Sequence, residues 1–260
     1  MTGAAAAQTL MLEDALRRLR LPAVLASYPK VAQEAAHQGL AYEAFLLAVL
    51  DQELTQRDAN TQRRRLAAAK FPVIKTLDQY DFSLMPHLNR ALIVELAQGG
   101  YILKKENCLL VGEIGTGKTH VATALGVAAC RQGYRVRFCT AAGLTNDLLD
   151  AQAQHRLVRL EQTLLRHHLL ILDEVGFVPF SKLGADLLFS FLSALHEQVS
   201  ILLTTTVPFA EWTALFGGDQ RLTGALLDRL TFHAHVLSFA GGSFRLRQSL
   251  QRQQAEQRPR

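Results

Sequence analysis

"LLVGEIGTGKTHVATALG", residues 109–126, is the stretch whose reading decides the fold. A short apolar run ends at Gly112. Three glycines follow at 112, 115 and 117, and Lys118 and Thr119 then open an alanine-containing stretch of helical character. The spacing is G-x-x-x-x-G-K-[ST] between a strand and a helix, which is the arrangement of a phosphate-binding loop. Glycine lets the backbone reach positive φ and approach a ligand closely. The N–H groups of Gly112, Glu113, Ile114, Gly115, Thr116, Gly117, Lys118, Thr119 and His120, together with the helix N-terminus, then face an anion. Lys118 is expected to neutralise β- and γ-phosphates, and the Thr119 hydroxyl to ligate Mg²⁺. The bland alternative, a glycine turn with an accidental Gly-Lys-Thr, lacks a reason for the strand before it and the helix after it.

Working outward, "HLLILDE" (168–174) reads as a buried strand with Asp173 and Glu174 at its C-terminal end. In a parallel sheet that end lies beside the first strand's loop. Asp173 suits a Mg²⁺ shell, and Glu174 suits orienting or deprotonating an attacking water. The alternative is two acids solvated at a strand end. "SILLTTT" (200–206) reads as the next strand. Thr206 is its best-placed candidate for sensing the γ-phosphate, with Thr205 behind it, although threonine suits a strand without any further role. Arg221 and Arg229 flank "LTGALLDRL". Hydrolysis of a triphosphate needs a further cation on the developing charge, often from a neighbouring subunit. Here the alternative is an ordinary ion pair with Asp228 or Asp219.

The remaining elements follow the same rhythm. "NCLLVG" (107–112), "YRVRFCT" (134–140) and "AHVLSFAG" (234–241) read as three more strands. Helices are expected from the glycine loop to about Gln132, from Gly143 to about Leu165, over 185–198 and over 222–232. Strands alternating with helices predict a parallel sheet covered on both faces. Residues 105–245 are therefore expected to form an α/β nucleotide-binding core with five parallel strands. The segment 246–260 reads as a basic tail, too short for another packed helical domain.

Residues 1–75 look all-helical. Thr9 is a candidate N-cap for the first helix, Pro22 opens a second, and Gly39 punctuates before a third. In that third helix Phe45, Leu46, Val49, Leu50 and Leu54 form one apolar stripe, and "FP" at 71–72 ends it. Residues 76–104 read as a connector.

The chain of 260 residues is 49% hydrophobic and carries a formal charge of +5. Its longest apolar runs are too short to span a bilayer, and the mixed charges after the first apolar stretch do not suit a signal peptide. Cys108, Cys130 and Cys139 are odd in number and lack metal-ligand spacing, consistent with a reduced, cytoplasmic protein. The basic residues are clustered. Arg57, Arg63, Arg64, Arg65, Lys70 and Lys75 face only Asp58 between residues 57 and 75. Arg245, Arg247, Arg252, Arg258 and Arg260 face only Glu256 in the tail. Such clusters suggest a polyanion partner, with DNA the first candidate, against the alternative of a solvated helix face and a frayed tail.

The segments "NCLLVGEIGTGKTHVATALGVAAC", "LLILDEVGFVPFS", "TTTVPFAEW", "ALLDRLTFHAHVL" and "GGSFRL" together resemble the IstB-like family of AAA+ ATPases, relatives of the DnaC-type helicase loaders. The helical N-terminal region resembles that family as well, so the likeness covers nearly the whole chain. The resemblance implies a five-stranded AAA+ P-loop core of strand order 5-1-4-3-2 without a C-terminal lid. It implies ATP hydrolysis to ADP and phosphate with Mg²⁺, and ATP-dependent homo-oligomers on double-stranded DNA held mostly through its backbone. It further implies deformation of target DNA, recruitment of a partner transposase, and a bacterial cytoplasmic protein that is nucleoid-associated on DNA.

Lys118, Thr119, Asp173 and Glu174 match the family's loop lysine, Mg²⁺ ligand and Walker B pair, and Arg229 matches its arginine finger. Arg156 and Arg159 fall where related initiator ATPases insert DNA contacts, or else form a solvated helix face. The chain departs from the family at Thr206, where asparagine is usual, at Leu195-His196-Glu197, where Arg-Tyr-Glu is usual, and at Phe244, where tyrosine is usual. Two other readings stay open. One is a helicase loader that grips a replicative helicase through residues 1–75. The other is a small-molecule kinase, against which stands the absence of a recognisable lid or substrate-phosphate arginine pair.

Overall fold

The computed structural model describes residues 3–241, with side chains from residue 6 onward. The tail arginines, Phe244 and the expected segment 246–260 lie outside the described residues. The chain divides into two compact units, Met1–Arg64 and Arg65–Arg260.

The first unit contains α1 (Gly3–Arg18), α2 (Pro22–Gln38) and most of α3 (Tyr42–Ala69). Thr9 is not the N-cap expected of it, because the alanine run carries α1 back to Gly3. Alanine has the best intrinsic helix propensity and needs no cap at that point. Pro22 does open α2, and Gly39 closes it in the left-handed conformation. The N-cap residue of α2 is Leu21, which has no side-chain acceptor. Glu53 of α3 supplies one instead, its Oε2 accepting from the N–H groups of Ala23 at 2.8 Å and Val24 at 3.3 Å. That is why a carboxylate sits 4% exposed in a small helical core, where unpaired helix-end N–H groups have to be met.

Leu16, Val24, Val31 and Val49 form the centre of that core, with Phe45 packed on it. The predicted apolar stripe splits in consequence. Phe45 and Val49 face inward with Glu53, whereas Leu46, Leu50 and Leu54 are 56%, 39% and 59% exposed.

In the second unit the five strands are β1 (Asn107–Gly112), β2 (Val136–Thr140), β3 (Leu169–Val175), β4 (Ser200–Thr205) and β5 (Ala234–Phe239). All pairings are parallel, in the order β2-β3-β4-β1-β5. This is the expected 5-1-4-3-2 order read from the other edge. One face is covered by α7 (Ala141–Ala153), α8 (Leu157–Leu165), α9 (Lys182–Leu195), α10 (Trp212–Leu215) and α11 (Gln220–Thr231), around Leu148, Phe191 and Trp212. The other face is covered by α4 (Arg90–Leu96), α5 (Gly100–Lys104) and α6 (Lys118–Arg131).

The expected boundary at residue 75 and connector at 76–104 differ from this arrangement for a physical reason. Ala69, Met85, Leu88, Ile93 and Ile102 are all buried in the α6-side core, so this stretch packs as part of the α/β fold. The single helix expected over Gly143–Leu165 is two. His155 takes φ 54°, its N–H reaches the Gln152 carbonyl, and the Arg156 N–H reaches that of Ala151. This is the Schellman way to end a helix, with histidine in the place usually held by glycine.

Candidate nucleotide site

The loop 112–117 joins β1 to the N-terminus of α6. Gly112 has φ 150° and pairs with Phe239 of β5, and a Cβ there would stand 2.0 Å from the Phe239 carbonyl oxygen. Gly117 has φ 95°, and a Cβ on it would meet the Tyr80 ring at 2.6 Å. Both positions therefore require glycine on two counts, backbone conformation and space. Lys118 is 6% exposed, and its Nζ donates to the carbonyls of Gly112 at 2.7 Å and Glu113 at 2.6 Å. The Thr116 hydroxyl donates to the Glu113 carbonyl at 2.8 Å. The ammonium is thus held inside the curl of the loop by two of its carbonyls.

At the neighbouring strand ends, β3 is irregular. Its register against β4 shifts between Leu172 and Val175, and Glu174 takes φ 60°. A bulge of this kind re-aims side chains at a strand end. Asp173 turns inward, 3% exposed, and its Oδ1 accepts from Thr119 Oγ1 at 3.0 Å and from Thr204 Oγ1 at 2.5 Å. Glu174 turns outward to line the cavity, and its N–H donates to Thr204 Oγ1 at 3.0 Å.

Thr204 therefore bridges both acids' positions: it donates to one carboxylate and accepts from the backbone of the other residue. Sequence reasoning passed over it for Thr206. Strand alternation sets Thr205 apart but puts Thr204 and Thr206 on one face. Thr204 and Thr205 are buried within β4, and Thr205 Oγ1 bonds the Val175 carbonyl at 2.8 Å. Thr206 lies past the strand end and lines the cavity.

The cavity has a volume of about 650 Å³, within the range that holds a nucleotide-sized ligand. One wall is the loop with Thr119 and His120, and the opposite wall runs from Pro72 to Met85. Two contacts fasten that wall to the loop. Tyr80 Oη donates to the Thr116 carbonyl at 3.1 Å, and His120 Nε2 lies 2.9 Å from the Thr76 carbonyl. The Tyr80 ring also meets the His120 ring edge-on at 5.3 Å. Burial, with Asp81 beside it, pushes the Tyr80 pKa up to about 12, so its hydroxyl stays a donor throughout the physiological range. Tyr80 and its wall carried no recognisable motif, and only the folded proximity to Gly117 reveals them.

The donor set fits Mg²⁺. A threonine hydroxyl and a carboxylate, both hard oxygen donors, stand 3.0 Å apart at the loop. Mg²⁺ takes one or two such protein ligands and completes its shell with water and phosphate.

The other predicted residues are dispersed. Arg229 is outside the cavity; its Nη1 donates to Ser193 Oγ at 2.6 Å and its guanidinium lies 5.3 Å from the Phe189 ring centroid. The alternative, an ion pair with Asp228 or Asp219, does not form among the described residues, and the Asp219 side chain caps α11 instead. Arg221 is exposed. Arg57 is turned to its own unit, with Nε 2.8 Å from Glu53 Oε1 and Nη2 2.7 Å from the Arg20 carbonyl. Arg63, Arg64 and Lys70 are exposed, while Arg65 is half-buried against Gly133. Arg156 is the N-cap residue of α8, with its guanidinium on the Gln154 side chain, and Arg159 is exposed on that helix. No helix of the described residues is long and apolar enough to cross a membrane.

The family described as IstB-like ATP binding protein matches residues 14–252. The ATP-binding protein of insertion sequence IS21 from Pseudomonas aeruginosa is 38% identical over 91% of this chain and 89% of its own length. That of insertion sequence IS5376 from Geobacillus stearothermophilus is 33% identical over 89% of this chain and 92% of its own. Among solved structures, AMPPCP-bound DnaA from Aquifex aeolicus superposes with a TM-score of 0.55 at 19% identity. It covers 74% of this chain, which spans 58% of the DnaA chain. DnaI superposes with a TM-score of 0.51 at 16% identity, covering 68% of this chain and 93% of its own. At such identities these structures speak for the AAA+ fold alone. With a family match across nearly its full length, the chain belongs to the IstB-like ATP-binding proteins.

Proposed function

We propose that the protein is a Mg²⁺-dependent ATPase of insertion-sequence transposition, and that its nucleotide state governs assembly on double-stranded DNA. The observation that carries the ATPase reading is the Thr119–Asp173–Thr204 chain with Glu174 facing the same cavity. The names of the relatives, ATP-binding proteins of insertion sequences, support the setting.

In this reading the loop amides and Lys118 bind the triphosphate, and Thr119 and Asp173 hold the metal. When bound, the metal neutralises charge on the phosphate oxygens. Glu174, displaced from the sheet by the bulge, orients and deprotonates water. Thr206, which lines the cavity past the end of β4, would meet the γ-phosphate in this reading. It has one donor where an amide would offer two, which suits slow turnover. Arg229 is outside its own cavity and acts, in this reading, on a neighbouring protomer, leaving Ser193 as the protomers close.

ATP energy then does no bond chemistry on DNA. It switches an assembly that grips and deforms target duplex and recruits a transposase of the same element. The exposed Arg63, Arg64, Lys70 and Arg159 supply backbone contacts that are independent of sequence. The test is phosphate release without any added acceptor, with and without long duplex. Release that duplex alters, and that Glu174→Gln abolishes, supports the reading. ADP formation that requires a small-molecule acceptor and releases no free phosphate makes the protein a kinase, and release that only a helicase alters makes it a loader.

A further inference from the structure

The edge of the sheet opposite the nucleotide carries a basic face that the sequence clusters do not include. Because the sheet is wholly parallel, all five strands are entered at this edge. Taken in sheet order, the entries pass Arg135 before β2, His168 before β3, His196 before β4, Lys105 before β1 and His233 before β5. Lys104 and Arg166 add to the row. The row falls into two groups of neighbours. The Arg135 N–H donates to His168 Nδ1 at 2.9 Å, and Arg135 Nε donates to the Arg166 carbonyl at 2.6 Å. A cavity of about 150 Å³ brings Lys104, Lys105, His196 and His233 together, with Glu197 and the half-exposed ring of Phe232.

Part of the row has a structural reason. Lys104 ends α5 and Arg166 caps α8, where cations offset the negative end of the helix dipole. That accounts for single charges and not for a basic or histidine side chain within four residues of every strand start. Among the described residues none of Lys104, Lys105, Arg135 and Arg166 has a carboxylate within ion-pair distance. Glu106, the nearest acid in sequence, is engaged with His235 at 2.9 Å. Burial, with Arg135 and Lys105 next, lowers the His168 pKa. Since its Nδ1 accepts from Arg135, the neutral ring carries its proton on Nε2 as a further donor.

The geometry points to a second DNA-backbone contact at this edge, in which Lys104, Lys105 and Arg135 engage phosphates. Five strands at about 4.8 Å spacing make a row roughly 19 Å long, long enough to meet several phosphates of one strand, which recur about every 3.4 Å along the helix axis. Like the two lysine ammoniums, the Arg135 guanidinium serves phosphate without regard to sequence. This inference rests on the DNA-binding reading above.

The test is the salt dependence of binding to a long duplex by fluorescence anisotropy, with nucleotide affinity measured in parallel. Each phosphate contact contributes about 0.9 to the slope of log K against log salt. The triple variant Lys104→Gln, Lys105→Gln, Arg135→Gln is expected to lower the slope by about 2.7 and leave nucleotide affinity unchanged. Arg135 also bonds the Arg166 carbonyl, so the double variant Lys104→Gln, Lys105→Gln guards against misfolding; its expected loss is about 1.8. A wild-type slope retained by both folded variants overturns this site and leaves the DNA-binding reading intact. A wild-type protein that binds no duplex at any salt concentration overturns both.

Discussion

Thr204→Val is the most informative single change, because it removes one hydroxyl and preserves the shape of a β-branched side chain. Thr204 is 1% exposed, donates to Asp173 at 2.5 Å and accepts from the Glu174 N–H at 3.0 Å. A hydrogen bond to a carboxylate contributes about 1.5–3 kcal/mol, and an N–H left without its partner costs about 1–3 kcal/mol. Water at the cavity side can recover part of this, so a stability loss of about 3 kcal/mol is expected in denaturant titration. The larger effect falls on turnover. The hydroxyl holds Asp173 toward Thr119 and anchors the backbone that presents Glu174. A loss of about 2 kcal/mol of that positioning in the transition state corresponds to roughly 30-fold in kcat. Nucleotide affinity should fall much less, since Lys118 and the loop amides are untouched. Thr204→Ser, which keeps the hydroxyl, should restore most of the turnover. The reasoning is refuted if Thr204→Val turns over ATP at the wild-type rate, or if the serine variant is as slow as the valine.

Other predictions separate the roles around the cavity. Lys118→Ala should weaken triphosphate binding at least about 100-fold, since it removes a buried charge from the anion's seat, whereas Glu174→Gln should bind normally and lose turnover; equilibrium binding of a fluorescent ATP analogue with phosphate release distinguishes them. Tyr80→Phe removes the donor to the Thr116 carbonyl, and a net loss of about 1 kcal/mol predicts roughly fivefold weaker binding of both ATP and ADP. In the N-terminal unit, burial raises the Glu53 pKa, but bonds from Arg57, Ala23 and Val24 outweigh it and hold the value below 4.5. A depressed carboxylate pKa stabilises the fold above the unfolded pKa, and that contribution is lost as pH falls through the folded value. The protection of α2 amides against hydrogen exchange, taken relative to the intrinsic rate at each pH, should therefore fall on acidification below about pH 4.5, and Glu53→Gln should flatten that dependence.

How much was readable in advance depended on the range of the interactions involved. The glycine loop and the strand ending in Asp173 and Glu174 are local patterns, and both lie where parallel strand ends converge. The order of the five strands came through the family resemblance, which the topology matches. What escaped was set by contacts distant in sequence. Residues 76–104 look like a connector because their apolar residues have no period; Met85, Leu88 and Ile93 are buried only because α6 and the sheet lie against them. The apolar stripe of α3 was read as one face, but Glu53 is drawn inward to cap α2 and leaves Leu46, Leu50 and Leu54 on the other side. Arg57 counted as part of a basic cluster, although its guanidinium completes the same cap. Thr204 was hidden among three consecutive threonines, and only the bulge at Asp173–Glu174 shows which of them faces the acids.

The central claim is that nucleotide state governs assembly on DNA. It is tested most directly by measuring particle mass by light scattering on a long, arbitrary duplex, with a non-hydrolysable ATP analogue against ADP. The account predicts large particles only where duplex and the triphosphate analogue are both present, dispersing when ADP replaces the analogue. A monomer or small oligomer of the same mass under both nucleotides would contradict it.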